Sequence, residues 1–238
     1  MRISNVAVVG IVVLLPAAAR AGIGADNFSA VLALTSDYVH RGVSRSDEDP
    51  AIQGGVDFEL GSGFFAGSWA SSTRFRSSPP REDPRHVELD FYVGYRLELG
   101  DSWGGELTAI RYTYPGSDPA FHYDYGELDL AVHYKDLLAV TVGGTDDAFG
   151  SGRKGMSYEL SGQYPLRTDL ELAAGVGFYD LEDLFGSSYS YWHVSLSQFL
   201  GRYVFTASYI ATDSRGRRVW GERRAAPRVV LGVSTSVQ

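Results

Sequence analysis

Residues 86–99 read HVELDFYVGYRLEL, and this stretch constrains the fold more than any other. Val87, Leu89, Phe91, Val93, Tyr95, Leu97 and Leu99 fall on one side of an extended chain; His86, Glu88, Asp90, Tyr92, Gly94, Arg96 and Glu98 fall on the other. Side chains alternate across a strand with period two, so these fourteen residues read as one long strand with an apolar and a charged face. Strands of globular proteins average about five or six residues. Length separates this pattern from a soluble sandwich.

The alternation repeats along the chain. Ile52, Val56, Phe58 and Leu60 oppose Gln53, Asp57 and Glu59; Leu128, Leu130, Val132 and Tyr134 oppose Glu127, Asp129, His133 and Lys135. Met156, Tyr158, Leu160 and Tyr164 oppose Ser157, Glu159, Ser161 and Gln163, and Leu170, Leu172, Val176 and Phe178 oppose Asp169, Glu171 and Gly175. Weaker segments at 28–40, 63–73, 102–114, 137–145, 190–199, 202–212 and 227–237 bring the expected number of strands to twelve. Short connections at 61–63, 100–102, 135–136, 165–168 and 200–202 interleave with long polar ones at 41–50, 74–85, 115–124, 146–154, 180–189 and 213–226. All long loops therefore gather at one end of a single domain, the asymmetry of bacterial outer-membrane barrels. An even strand number also brings both termini to the short-turn end.

Such strands could face their apolar side inward in a soluble barrel or outward in a membrane barrel. Apolar faces of some ten residues match the roughly 9–11-residue span a bilayer requires. Tyr95, Trp103, Tyr134, Tyr164, Trp192 and Tyr203 lie near strand ends, where interfacial girdles belong. The expectation is an all-β protein, a twelve-stranded antiparallel up-and-down transmembrane β-barrel of the outer-membrane type.

Residues 1–21 read as an address label. Arg2 gives a positive start, Val6 to Leu15 form a ten-residue apolar run, and Ala19-Arg20-Ala21 is an A-x-A cleavage pattern. The expected product is a mature domain, residues 22–238, exported to the outer membrane of a Gram-negative bacterium. Losing two arginines and no acid moves the formal charge from −8 to −10. That balance argues against a nucleic-acid partner, which needs a basic footprint. With no cysteine, disulfides, thiol catalysis and Cys-ligated metals are out.

Ser36-Asp37-Tyr38-Val39-His40-Arg41-Gly42-Val43-Ser44, followed by Ser46-Asp47 and Asp49-Pro50-Ala51-Ile52-Gln53-Gly54-Gly55-Val56-Asp57, resembles the Gcw_chp family of proteobacterial exported proteins, also labelled TorF-type porins. The resemblance continues through Gly63-Phe64-Phe65-Ala66-Gly67-Ser68-Trp69-Ala70-Ser71 and Glu88-Leu89-Asp90-Phe91-Tyr92-Val93-Gly94-Tyr95. It implies an outer-membrane barrel, inserted with the help of the barrel-assembly machinery. The ending Ser234-Thr235-Ser236-Val237-Gln238 departs from the terminal aromatic that this machinery usually reads.

The charged face supplies the candidate pore lining: Asp57, Glu59, Glu88, Asp90, Arg96, Glu127, Asp129, Lys135, Glu159 and Glu171, with Glu98, Asp169 and Arg111 expected beside them. Carboxylate rings attract cations, so the expected function is a porin-like channel for small hydrophilic solutes or ions with a cation preference. Twelve strands leave a narrow lumen, and a plugged interior of mutually satisfied charges stays open as the competing structural or adhesive reading. In that case Arg215, Arg217, Arg218, Arg223 and Arg224 of the last loop, with Arg228 behind them, would meet lipopolysaccharide phosphates. Arg74, Arg76, Arg81 and Arg85 form a second basic loop.

The first loop, 41–50, carries clustered acids without calcium-loop spacing and reads as a solvated turn, with Asp37 and Arg41 able to pair at the rim. His40, His86, His122, His133 and His193 fit no metal-ligand spacing, and no cofactor is expected. His193-Val194-Ser195 resembles the His-x-Ser pair of outer-membrane phospholipase A, the third reading. Both residues share the lumen face, whereas lipid cleavage needs a site open to the bilayer and an oriented third partner.

Overall fold

The computed structural model describes residues 27–60, 62–75, 86–116 and 123–237. The expected leader, together with Arg76, Arg81, Arg85 and His122, lies outside the described residues. Alternation builds twelve wall strands: β1 (Phe28–Thr35), β4 (Ala51–Glu59), β5 (Phe64–Ser72), β6 (Val87–Leu99), β7 (Trp103–Thr113), β8 (Tyr125–Tyr134), β9 (Leu138–Thr145), β10 (Gly155–Arg167), β11 (Leu170–Asp180), β12 (Tyr189–Leu200), β13 (Tyr203–Thr212) and β14 (Arg228–Val237). Each pairs antiparallel with its sequence neighbour, and β1 closes the barrel by pairing with both β4 and β14. Two further strands, β2 (Val39–His40) and β3 (Val43–Ser44), form a separate two-stranded sheet. Among the described residues no helix is long and apolar enough to cross a membrane. The strands do that work.

The apolar face points outward. Leu32, Phe91, Val93, Leu130, Leu160, Val194 and Leu231 are all exposed, while their strand neighbours Val31, Asp90, Asp129 and Ser195 are buried. A row of exposed aromatics, Phe64, Tyr95, Trp103, Tyr164 and Tyr203, follows the short-turn end; Trp103 packs on Tyr134 with ring centroids 5.0 Å apart. Trp192 sits nearer the long-loop end. Such a chain is stable only where lipid covers its exposed belt, because a contiguous apolar surface of this extent is unfavourable in water.

Four readings of the sequence need correction. The first strand ends at Thr35, not at 40, because residues 36–50 turn inward. Arg111 faces outward, since Ile110 and Tyr112 of β7 are the buried residues. Lys135 does not line the lumen: it occupies the β8–β9 turn at φ 52°, with its ammonium 5.4 Å from the Tyr134 ring. Asp169 likewise lies in a turn, 2.9 Å from the Arg167 guanidinium. Turn residues at strand ends lose the two-face parity from which their orientation was read.

Candidate functional site: the lumen and its inward loop

The inner wall has two arcs. From β4 to β11 it carries carboxylates; from β12 round to β1 it carries hydroxyls and small residues. On the second arc Ser195 pairs with Ser208 at 2.8 Å and Ser197 with Thr206 at 3.1 Å, consuming those hydroxyls in each other. Thr35, Gln53, Thr206, Ser208 and Ser234 border a hollow there. Around the wall several large inward side chains lie flat over a glycine of the neighbouring strand. Tyr92 covers Gly67, His133 covers Gly104 and Tyr191 covers Gly177; a Cβ on these glycines would lie 2.5, 2.2 and 2.2 Å from the covering ring.

Of the residues expected in the pore, Asp57, Glu59, Glu88, Asp90, Arg96, Glu127, Asp129, Glu159 and Glu171 occupy inward positions of their strands. At the short-turn end Arg96 reaches Glu59 and Glu106, each at 3.0 Å. Glu106 is buried on the inward side of β7 and was missed from the sequence, where alternation over 102–114 is weak. Tyr92 donates its hydroxyl to Asp57, and Tyr191 to Glu159 at 2.8 Å.

The long-loop end differs because the first loop fills it. The expected solvated turn is buried: every residue from Asp37 to Asp47 sits out of solvent. Residues 39–44 form a tight hairpin whose turn has φ 47° at Arg41 and 79° at Gly42, the sense of twist that favours hairpins. Inside the loop, Asp37 accepts from Ser44 Oγ at 2.6 Å, and the Arg45 amide donates to the Tyr38 carbonyl at 2.7 Å. The pairing expected between Asp37 and Arg41 does not form. Arg41 crosses to Glu127, in a two-point ion pair whose Nη1–Oε2 arm is 3.1 Å, and lies 4.6 Å over Tyr179. Asp37 instead meets Arg228 at 2.6 Å. Tyr38 donates to Glu88 at 2.5 Å, and Tyr189 to the Arg41 carbonyl at 3.0 Å. Val39 packs on Ile210 and Val230.

The last loop forms α1 (Ser214–Trp220) and α2 (Glu222–Ala225), and its arginines turn to this plug. Arg223 lies 3.4 Å from Asp47 and 3.5 Å from Glu48, and Arg224 Nε donates to the Ser44 carbonyl at 3.2 Å. Arg217 is held by the Thr212 carbonyl at 3.0 Å. Arg215, Arg218 and Arg223 are exposed, but Arg223 is already drawn to Asp47 and Glu48, which leaves Arg215 and Arg218 as the candidates for lipopolysaccharide contact. Arg74 meets Asp49 at 2.6 Å, so guanidinium groups occupy the place that a cation among the loop acids would have taken.

Within the plug His40 is 2% exposed, and neither ring nitrogen has a hydrogen-bond partner among the described residues. Burial, reinforced by the charges of Arg41 and Arg45, holds its pKa well below the usual histidine range. Burial works against the Arg41 charge, but Glu127 outweighs it and holds that pKa well above the ordinary arginine value. His193 covers Gly175, and Ser195 bonds Ser208 rather than His193; the geometry of a His-activated serine is not there. Among the described residues no group of three or more His, Cys, Asp or Glu side chains is placed to hold a metal.

Comparison with known proteins fits this architecture. The NanC porin superposes with a TM-score of 0.54 at 11% identity, covering 89% of this chain and 99% of the other. The KdgM porin, solved in complex with disordered oligogalacturonate, superposes with a TM-score of 0.52 at 10% identity, covering 89% and 99%. At such identities the likeness is one of fold. A search of curated protein sequences found no match. The model of a family described as a bacterial protein of unknown function, Gcw_chp, matches residues 19–233, and this chain belongs to that family.

Proposed function

We propose that the chain is an outer-membrane channel for small hydrophilic solutes or ions, selective for cations. The observation that carries this reading is the imbalance of charge on the inward strand positions. Eight carboxylates from Asp57 to Glu171, and Glu106 besides, share that surface with Arg96 and Arg228. Fixed acids attract cations and repel anions at close quarters. The porin fold of the structural neighbours agrees with this reading. A leader at residues 1–21 and the apolar belt suit export and insertion by the barrel-assembly machinery.

A second reading draws on the inward loop. If it never leaves, the protein is a closed barrel whose exposed Arg215 and Arg218 engage lipopolysaccharide phosphates. Single-channel recording in a planar bilayer under a salt gradient separates the two. Discrete steps with a reversal potential on the cation side are expected; silence from the full chain and from a variant lacking residues 38–47 overturns the channel reading.

A further inference from the structure

We propose that residues 36–50 are a gate seated in the outer half of the lumen, and that protonation of His40 releases it. The gate deepens the channel reading, which gives it its consequence, but it can be tested without measuring current.

The loop is built to be held by charge rather than by grease. Its apolar contribution is small: Tyr38, Val39 and Val43. The remaining anchors are ionic or polar, and they come from four separate wall or loop segments. Arg41 meets Glu127, Asp37 meets Arg228, Asp47 meets Arg223 and Asp49 meets Arg74. The Arg41–Glu127 and Arg228–Asp37 pairs are buried and give back much of their attraction as desolvation, while the exposed Arg223 and Arg74 pairs are weak, so such a plug sits in place with little surplus. Its backbone adds strain. Of five non-glycine residues with positive φ among the described residues, Arg41, Asp47 and Glu48 are in this loop. Left-handed conformations persist at such residues only when surrounding contacts impose them.

His40 is the titrating element of that arrangement. From its own loop Arg41 and Arg45 bear on it, both cationic. From the wall it faces Tyr112 of β7, ring centroids 6.1 Å apart. Of the acids on the strands flanking β7, Glu127 of β8 holds Arg41, Glu88 of β6 accepts from Tyr38, and neither Asp90 of β6 nor Asp129 of β8 hydrogen-bonds the imidazole. Asp90 of β6 interacts with Arg45 and Glu88. A third positive charge between two arginines, with no acceptor for either ring N–H, is therefore unfavourable while the loop is inside.

The sign follows from linkage. In the seated loop the histidine stays neutral; in a loop swung out into water it titrates near its unperturbed value of about 6.5. Above that pH neither state binds the proton, and the seated loop keeps its full stability. Below it the released loop gains the proton, and the ratio of released to seated loops grows about tenfold for each further pH unit until the seated histidine itself titrates. Acid opens the gate.

The absence of native cysteine makes the test clean. Val39→Cys places one thiol beneath the plug, against Ile210 and Val230. In the refolded full chain, its rate of modification by a water-soluble methanethiosulfonate is normalised to that of Ser214→Cys, on an exposed residue, at each pH. The normalised rate is expected to rise about tenfold between pH 7.5 and 5.5 and not to rise with His40→Gln added. His40→Asn serves if the glutamine variant does not refold. Fast labelling at every pH, a pH-independent slow rate, or an undiminished rise without His40 overturns the gate as proposed. Silence in a bilayer beside acid-dependent labelling sinks the channel and leaves the gate.

Discussion

Glu127 and Glu59 point into the same lumen from opposite ends, yet their surroundings have little in common. The Glu127 side chain is 1% exposed and gripped by Arg41; the Glu59 side chain is 57% exposed and shares Arg96 with Glu106. The wall chemistry is the same in both places, an acid on the polar face of an alternating strand. What differs is the loop folded onto one of them. At the long-loop end the carboxylates are structural anchors, whereas at the short-turn end Glu59 remains in contact with water and can act on solutes.

The largest expected effect breaks the outer half. Arg41→Ala leaves Glu127 buried without its cation, a change that typically costs about 3–5 kcal/mol. The matched change in the inner half, Arg96→Ala, is expected to cost less, about 1–3 kcal/mol, because Glu59 stays solvated and buried Glu106 keeps the Thr108 hydroxyl as a donor. Urea unfolding of the two variants in detergent measures the contrast; equal losses would mean that the loop does not bury its ion pair.

Gly42→Ala comes next. An added Cβ would sit 2.7 Å from Thr212 Cγ2 and 2.7 Å from Tyr191 Cβ, at a φ of 79°. Overpacking of this kind costs about 1–3 kcal/mol, and here the loop alone can yield. Limited proteolysis should cut within residues 36–50 faster than in the parent chain while the wall strands stay protected.

A smaller effect is expected on ion selectivity. Glu59→Gln combined with Glu171→Gln should lower the cation preference, read from the reversal potential, more than Glu88→Gln combined with Asp90→Asn. The reverse order would place the selective site in the outer half. Smallest of all, Arg215→Ala with Arg218→Ala should leave unfolding within about 0.5 kcal/mol of the parent, as surface changes do. Weaker retention of lipopolysaccharide vesicles by that variant would support contact with phosphates, and unchanged retention would remove these two residues from that role.

The wall was legible because its signal is periodic. A residue on β6 or β8 declares its face by parity, and lipid outside with water inside makes the two faces chemically opposite. Parity misled at Arg111 for a physical reason. Near the long loops the inward face of β7 turns apolar, with Ile110 and Tyr112 packed in a cluster with Phe75, Tyr114 and Tyr125, so the usual contrast is reversed there. Glu106 was missed in the same weak segment. The inward loop did leave one trace, Val-His-Arg-Gly-Val, an apolar pair flanking a residue–glycine turn that suits a hairpin.

By itself, then, the sequence determined the barrel: the number of strands, their order, their outward face and the acids on the inward one. Each of these follows from local alternation repeated twelve times. Only the tertiary structure decided which of those acids meet solvent. The partners Glu127 and Arg41 are 86 residues apart, and Arg228 lies 191 residues from Asp37. Closing the barrel brings them within reach, and no period in the chain records where a loop will fold once its ends are fixed to a closed wall.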